Sequence, residues 1–186
     1  MAAALPPKFC IKPATTHTDL TAIKSLFNAY ATSIGIDLTF QNFAHELHSL
    51  PGLYAPPTGA VFLAFASSPS LSPGVPKNIP SGCVALRPLP LLLVQGEGKS
   101  KKCCEMKRLF CVPWSRGSGV GRALVEGVIK EAEKLGYEEM RLDTIESMVG
   151  ARRLYESLGF GVCERYYDTP LEGTVFLSRR LGSQPL

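Results

Sequence analysis

Between residues 103 and 144 the chain runs from a strand through a glycine turn and a helix into a second strand, and this succession constrains the fold most. Residues 103–112, CCEMKRLFCV, are an apolar run of strand length. Residues 120–135 place Val120, Leu124, Val128 and Leu135 on one helical face, and Gly136 stands where a glycine ends a helix. Residues 139–144, EMRLDT, then read as another strand. The pattern predicts a βαβ unit around which the rest of the chain must pack.

The flanks supply further layers. Residues 9–12 read as a short strand, and residues 19–32 as a helix with Leu20, Ile23, Leu26, Phe27 and Tyr30 on one face. A second helix is expected over 39–50, capped by Thr39, with Phe40, Phe43, Ala44 and Leu47 as its apolar stripe, ending before Pro51 and Gly52. Residues 60–67 and 81–87 form a strand pair joined by a Ser/Pro-rich stretch, 68–80, expected to be a mobile insertion in a hairpin. Residues 88–94 extend the third strand past a proline interruption, and 95–102 are a polar connector and a second mobile loop. Beyond the βαβ unit come a helix over 151–158, stopped by Gly159, and strands over 161–167 and 174–181. Strands on both sides of a βαβ core imply an α/β fold with a mixed sheet flanked by helices. With 186 residues, 45% of them hydrophobic, the chain has the size and apolar content of one domain, 1–186.

Composition excludes several function classes. The formal charge of +4 is mild and the cations are scattered, apart from Lys99, Lys101 and Lys102, so nucleic acid is not an expected partner. No window approaches the ~18 uninterrupted apolar residues of a membrane span, and the first residues lack a basic segment followed by an apolar core. A soluble, intracellular (cytoplasmic) protein without a membrane partner is expected. Six cysteines include no Cys-x-x-Cys pair, which points to reduced core thiols rather than disulfides or metal. His45-Glu46-Leu47-His48 has its histidines three apart, not the four of a zinc helix, so no metal is expected and the stretch reads as a partly exposed helix face.

The turn itself, Arg116-Gly117-Ser118-Gly119-Val120-Gly121-Arg122, reads as an anion-binding loop. Glycines at alternate positions let a ligand approach the backbone, and the first turn of the following helix offers N–H groups without intrahelical partners. A dinucleotide fingerprint needs Gly-x-Gly-x-x-Gly, which this spacing does not match. A nucleotide P-loop needs Gly-Lys-Ser/Thr, whereas Arg122 and Ala123 follow Gly121. The remaining pattern, Arg116-x-x-Gly119-x-Gly121, resembles the acyl-CoA pyrophosphate loop of the GNAT superfamily of N-acetyltransferases.

That resemblance covers about residues 105–160. Leu109-Phe110-Cys111-Val112-Pro113, then the loop, then Leu135-Gly136-Tyr137, then Ala151-x-x-Leu154-Tyr155-Glu156-x-Leu158-Gly159-Phe160 look like that family's cofactor strand, pyrophosphate loop and second cofactor motif, in order. The resemblance implies a GNAT-like domain whose mostly antiparallel mixed sheet carries one splayed parallel pair. It implies a bulge in the strand holding Leu109, Phe110 and Cys111, where the pantetheine of acetyl-CoA would insert like an extra strand on backbone groups. A backbone N–H near that bulge would face the developing oxyanion. Arg116, Gly117, Ser118, Gly119, Val120, Gly121 and Arg122 would hold the pyrophosphate. Many relatives have Asn three residues before the alanine of the second motif; here Met148 stands there, which removes one side-chain contact to the pantetheine arm.

By the same resemblance Tyr155 is the general acid that protonates the leaving thiolate, against the plainer role of a ring packed beside Leu154 and Leu158. Glu105, eleven residues before Arg116, is the candidate general base, with an ordered water chain as the alternative base that many family members use; alternation puts it on one face with Lys107 and Leu109, and it can equally pair with Lys107 or a neighbouring strand cation. Asp143 can orient a substrate amine or pair with a cation on an adjacent strand. Of Tyr166 and Tyr167, read as adjacent strand residues, at most one reaches substrate. The implied activity is transfer of acetyl from acetyl-CoA to a primary amine, taken as a small molecule, by direct attack in a ternary complex. A protein or peptide α-amine as acceptor, and a non-catalytic acyl-CoA sensor or interaction module, stay open, as does a homodimer.

Overall fold

The computed structural model describes residues 9–66, 79–90 and 101–182. Among these, strands β1 (Phe9–Pro13), β2 (Ala60–Ala66), β3 (Ile79–Pro88), β4 (Cys103–Cys111), β5 (Glu139–Ile145), β6 (Gly161–Val162) and β7 (Thr174–Arg180) form one sheet in the order β1-β2-β3-β4-β5-β7-β6. Helices α1 (His17–Ile34) and α2 (Phe43–Ser49) precede β2, α3 (Val120–Lys134) joins β4 to β5, and α4 (Val149–Ser157) follows β5. Every neighbouring pair is antiparallel except β4 and β5. The βαβ unit and the mixed sheet are therefore as expected.

The two faces of the sheet bury separate cores. On one face α3 packs Leu124, Val125, Val128 and Ile129 onto Val84, Leu86, Met106 and Leu142, with Tyr155 and Phe160 closing the same cluster. On the other face Ile23, Leu26 and Phe27 of α1 cover Leu63, Cys83, Ala85 and Phe110. Helix α3 follows from its apolar residues at helical spacing, and its end is set by Gly136 at φ 75°, with Lys102 Nζ donating to the Leu135 carbonyl. No helix of the described residues is long and apolar enough to cross a membrane. All six cysteines are unpaired.

Two features of β4 shape the centre of the molecule. It pairs with β5 only over three residues, Cys103 to Glu105 against Glu139 to Arg141. Beyond that β4 stays with β3 as far as Cys111 while β5 stays with β7 as far as Ile145, so the parallel pair opens toward its C-terminal end. The second feature is a bulge. Ala85 faces Lys107 but Cys83 faces Phe110, so Arg108 and Leu109 together oppose one residue, and Arg108 takes φ 58°. The extra residue inverts the alternation. Glu105, Lys107 and Phe110 lie on the α1 face, whereas Leu109 packs on the α3 face; the expected common face of Glu105 and Leu109 is thereby corrected.

The helix expected over 39–50 is broken. Thr39–Gln41 is a single 3₁₀ turn, Asn42 follows at φ 56°, and only Phe43–Ser49 is α-helical. Thr39 does not cap; it donates its own N–H to Asp37 at 2.8 Å. The late strand expected over 161–167 is only two residues long, and 163–167 is irregular. The insertion expected over 68–80 lies outside the described residues as far as 78, and Ile79 and Pro80 already belong to β3. The expected extension to Val94 pairs once more, Leu89 N–H to Cys103 O at 3.0 Å, before residues 91–100 leave the described part.

Helix α1 starts with a reciprocal cap. Asp19 N–H donates to Thr16 Oγ1 and Thr16 N–H to Asp19 Oδ2, while Lys12 of β1 reaches Asp19 Oδ1 at 2.7 Å. Lys12, and then the capping hydrogen bonds, hold the Asp19 carboxyl at about 2, below its ordinary 3.8. A folded value below the unfolded one means the stabilisation is complete above about 3.8 and is lost as the pH falls through about 2. Denaturant titrations of wild type and Asp19→Asn should therefore differ near neutral pH and converge in that acid window; a difference independent of pH would contradict the assignment.

Candidate active site

The opening between β4 and β5 is a cavity of about 620 Å³ that passes through the sheet. Its floor is Met106 to Cys111 on one side and Leu142 to Ile145 on the other. From the α3 face it is lined by Gly117, Gly121, the start of α4 and Tyr155; from the α1 face by Tyr30, Ile34, Ile36 and Leu38. One cavity thus has two mouths, one on each face of the sheet.

The glycine loop forms the rim on the α3 face. Pro113–Ser115 makes a 3₁₀ turn, Gly117 and Gly119 take φ 77° and 90°, and α3 begins at Val120 with no side chain capping its N-terminus. Side chains rarely adopt those angles, so glycine at 117 and 119 lets the chain double back and aim the N–H groups of Val120, Gly121 and Arg122 outward. The uncapped donors and the positive helix end suit a phosphate group. Leu109, Phe110, Cys111, Arg116, Gly117 and Gly121 line the cavity. Ser118, Gly119, Val120 and Arg122 do not: Val120 is buried in the core, and Arg122 reaches Ser157 Oγ at 2.7 Å and Glu126 at 3.6 Å. Arg116 donates Nε to the Cys111 carbonyl at 3.0 Å and keeps the rest of its guanidinium exposed at the rim.

Tyr155 comes from the first helix turns after β5. It is 7% exposed, its ring meets Phe160 edge-on at 5.9 Å, and its hydroxyl makes no hydrogen bond among the described residues. Burial, with Tyr30 and Asp143 nearby, pushes its phenol well above the ordinary value, so the proton stays on.

Glu105 is not part of the cavity wall. Its carboxylate, 1% exposed, takes Arg87 Nε at 2.7 Å and Nη2 at 2.6 Å on Oε2, and Tyr166 Oη at 2.9 Å on Oε1, with Lys107 at 3.7 Å. Lys107 carries the network to the cavity, meeting Asp143 Oδ1 at 2.7 Å. Burial alone would raise the Asp143 carboxyl, but Lys107 beside it brings the net value below the ordinary one. Tyr166 and Tyr167 both stay off the wall: their segment is irregular, so strand alternation does not separate them, and both rings pack on Phe176.

One buried pair has no counterpart in the sequence reading. Arg108, forced to the α1 face by the bulge and 2% exposed at its side chain, forms a two-pronged bridge to Glu46, Nε to Oε1 at 2.9 Å and Nη2 to Oε2 at 2.6 Å. Tyr54 Oη also donates to Glu46 at 2.8 Å, and the guanidinium lies over the Phe43 ring at 5.1 Å. Within the His45 to His48 stretch the histidines are exposed and Glu46 turns inward, tying α2 to the bulge. The available signal was two adjacent cations, Lys107 and Arg108, in a strand with the single anion Glu105, since buried cations require buried anions. Glu46→Ala leaves Arg108 unpaired and should cost about 3 kcal/mol in urea denaturation, with Glu46→Leu plus Arg108→Met regaining most of it. A neutral Glu46→Ala would contradict this.

Comparison with known proteins gives the family of the chain that carries this splayed pair and glycine loop. The model of the acetyltransferase (GNAT) family matches residues 41–160. The chain belongs to that family. As a member it is an acetyl-CoA-dependent N-acetyltransferase with an α/β GNAT-like domain. It is 37% identical over 172 residues to an uncharacterized N-acetyltransferase of Schizosaccharomyces pombe, covering 92% of this chain and 94% of the relative. Among solved structures, an acetyltransferase of the GNAT family from Staphylococcus aureus superposes with a TM-score of 0.69 at 18% identity, over 94% of this chain and 100% of that one. A Salmonella typhimurium protein solved with its cofactor acetyl-CoA gives a TM-score of 0.58 at 18% identity, over 96% of each chain.

Proposed function

We propose that this GNAT enzyme transfers acetyl from acetyl-CoA to a small primary amine by direct attack within a ternary complex. The observation that carries the reading is the two-mouthed cavity between β4 and β5. The donor enters from the α3 face, where Val120, Gly121 and Arg122 N–H groups and Arg116 meet its pyrophosphate. The unpaired strand edges beside Leu109, Phe110 and Cys111 exchange backbone hydrogen bonds with the amide-bearing pantetheine. The Salmonella protein of the same fold, solved with acetyl-CoA, supports that choice of donor.

The acceptor enters from the α1 face and attacks the thioester carbonyl. The bulge at Arg108 and Leu109 leaves backbone N–H groups to meet the developing oxyanion. Tyr155 gives its proton to the departing sulfur. The acceptor ammonium loses its proton to Asp143, the carboxylate on the wall, while the buried Glu105 acts behind it by fixing Lys107, which fixes Asp143. Mixing the protein with acetyl-CoA and a panel of amines, including a peptide with a free α-amine, tests this by thiol release. Turnover of small amines supports the reading, turnover of the peptide alone replaces the acceptor, and tight binding of acetyl-CoA without turnover makes the protein a sensor.

A further inference from the structure

The α1 mouth of the cavity carries a charge pattern that selects among amines. Arg108 is spent on Glu46 through two short bonds, and Lys107 is spent on Asp143 and Glu105. The remaining wall cation, Arg116, sits at the glycine loop, on the donor's pyrophosphate. Among the described residues, then, the acceptor side offers no free cation for a carboxylate or phosphate of the substrate.

Anions are as scarce. Asp143 is the only carboxylate lining the cavity among the described residues. Its Oδ1 takes Lys107 at 2.7 Å, and the Tyr167 hydroxyl lies against the same carboxylate from behind the wall. It shares the α1 face with Lys107, since its register partner on β7 is Phe176, on the side opposite the α3 core. Around it the wall is Tyr30, Ile34, Ile36, Leu38 and Leu171, with the neutral polar side chains of Ser33 and Gln41 among them. One ammonium can be met there by a carboxylate, a second finds no counter-charge, and the rest of the acceptor faces uncharged side chains.

We propose that the acceptor is a small primary monoamine with an uncharged body and no acidic group, its ammonium docked on Asp143 and its body among Ile34, Leu38 and Leu171. This rests on the N-acetyltransferase reading above. A carboxylate on the substrate would be buried beside Asp143 without a cation, and a second ammonium would be buried among uncharged side chains without a counter-charge. Either penalty exceeds what extra contacts can recover.

The test compares 2-phenylethylamine, phenylalanine and spermidine, by initial rates with acetyl-CoA and by calorimetry on the CoA-saturated protein. The expected kcat/KM for phenylethylamine is at least about tenfold above either competitor, with the same ranking in binding. Asp143→Asn, which keeps a hydrogen bond to Lys107, should weaken phenylethylamine binding to the CoA-saturated protein by about tenfold and also lower kcat, while leaving acetyl-CoA affinity unchanged. Leu171→Glu should shift the ranking toward spermidine, and its result stands even if the Asp143 variant does not fold. Phenylalanine or spermidine in first place overturns the substrate class and leaves the acetyltransferase reading intact. Absence of thiol release with every amine removes that reading instead, and the class is then decided by the binding ranking; failure of phenylethylamine to bind overturns it.

Discussion

Replacing Tyr155 with phenylalanine should lower kcat by roughly 10²- to 10⁴-fold, the usual cost of losing a general acid. Acetyl-CoA affinity should barely change, because the ring remains and only the hydroxyl goes. The expectation follows from the setting: the ring is fixed against Phe160, the hydroxyl is unclaimed among the described residues, and burial keeps its proton on. A phenol held in this way can protonate a thiolate whose alternative is to leave as a bare anion in an apolar cleft. A merely structural tyrosine would behave differently. Its loss would lower the urea midpoint and leave kcat alone, and an unaltered kcat in Tyr155→Phe would remove the residue from the mechanism.

Gly121→Trp should weaken acetyl-CoA binding by roughly 10²- to 10⁴-fold, whereas Gly121→Ala should bind normally. A Cβ at 121 would lie 3.5 Å from Cys111 Sγ and 3.6 Å from Leu154 Cδ2, both ordinary contacts, so alanine fits. Anything much longer has to occupy the cavity between β4 and α4 and cover the N–H groups at the start of α3. Two charge-assisted hydrogen bonds lost at ~1.5–3 kcal/mol each give that range in Kd. The fold itself should tolerate the change, since Gly121 is already helical and tryptophan is a better helix residue than glycine. Calorimetry with parallel denaturation reads both quantities. Unchanged affinity in the tryptophan variant would place the pyrophosphate elsewhere.

How far the sequence reached is clearest at particular residues. The βαβ unit was legible because a strand-length run, a glycine turn and the helical spacing of Val120, Leu124 and Val128 follow one another and agree. The loop was legible because positive φ at Gly117 and Gly119 is a backbone need that only glycine meets cheaply. Three things were not legible. Arg108 adopts φ 58° at the bulge without any glycine to announce it, so the inversion that separates Leu109 from Glu105 was hidden. Asn42 breaks the second helix although the apolar spacing from Phe40 to Leu47 runs straight through it. The identity of each charged partner was also hidden, because Glu46 and Arg108 are 62 residues apart and meet only through tertiary packing. Glu105 illustrates the limit best: its spacing from the loop drew attention to it, while Arg87 and Tyr166, which claim its oxygens, come from distant segments.

The measurement closest to the central claim is thiol release from acetyl-CoA with and without a small apolar amine, coupled to quantitation of the N-acetylated product. A cavity that admits the donor through one face of the sheet and the acceptor through the other predicts negligible thiol from acetyl-CoA alone. It predicts thiol and acetylated amine in equal amounts once the amine is added. Stoichiometric thiol release without amine, leaving acetyl on the protein, would contradict direct transfer, and saturable acetyl-CoA binding with no release on any amine would contradict the enzyme.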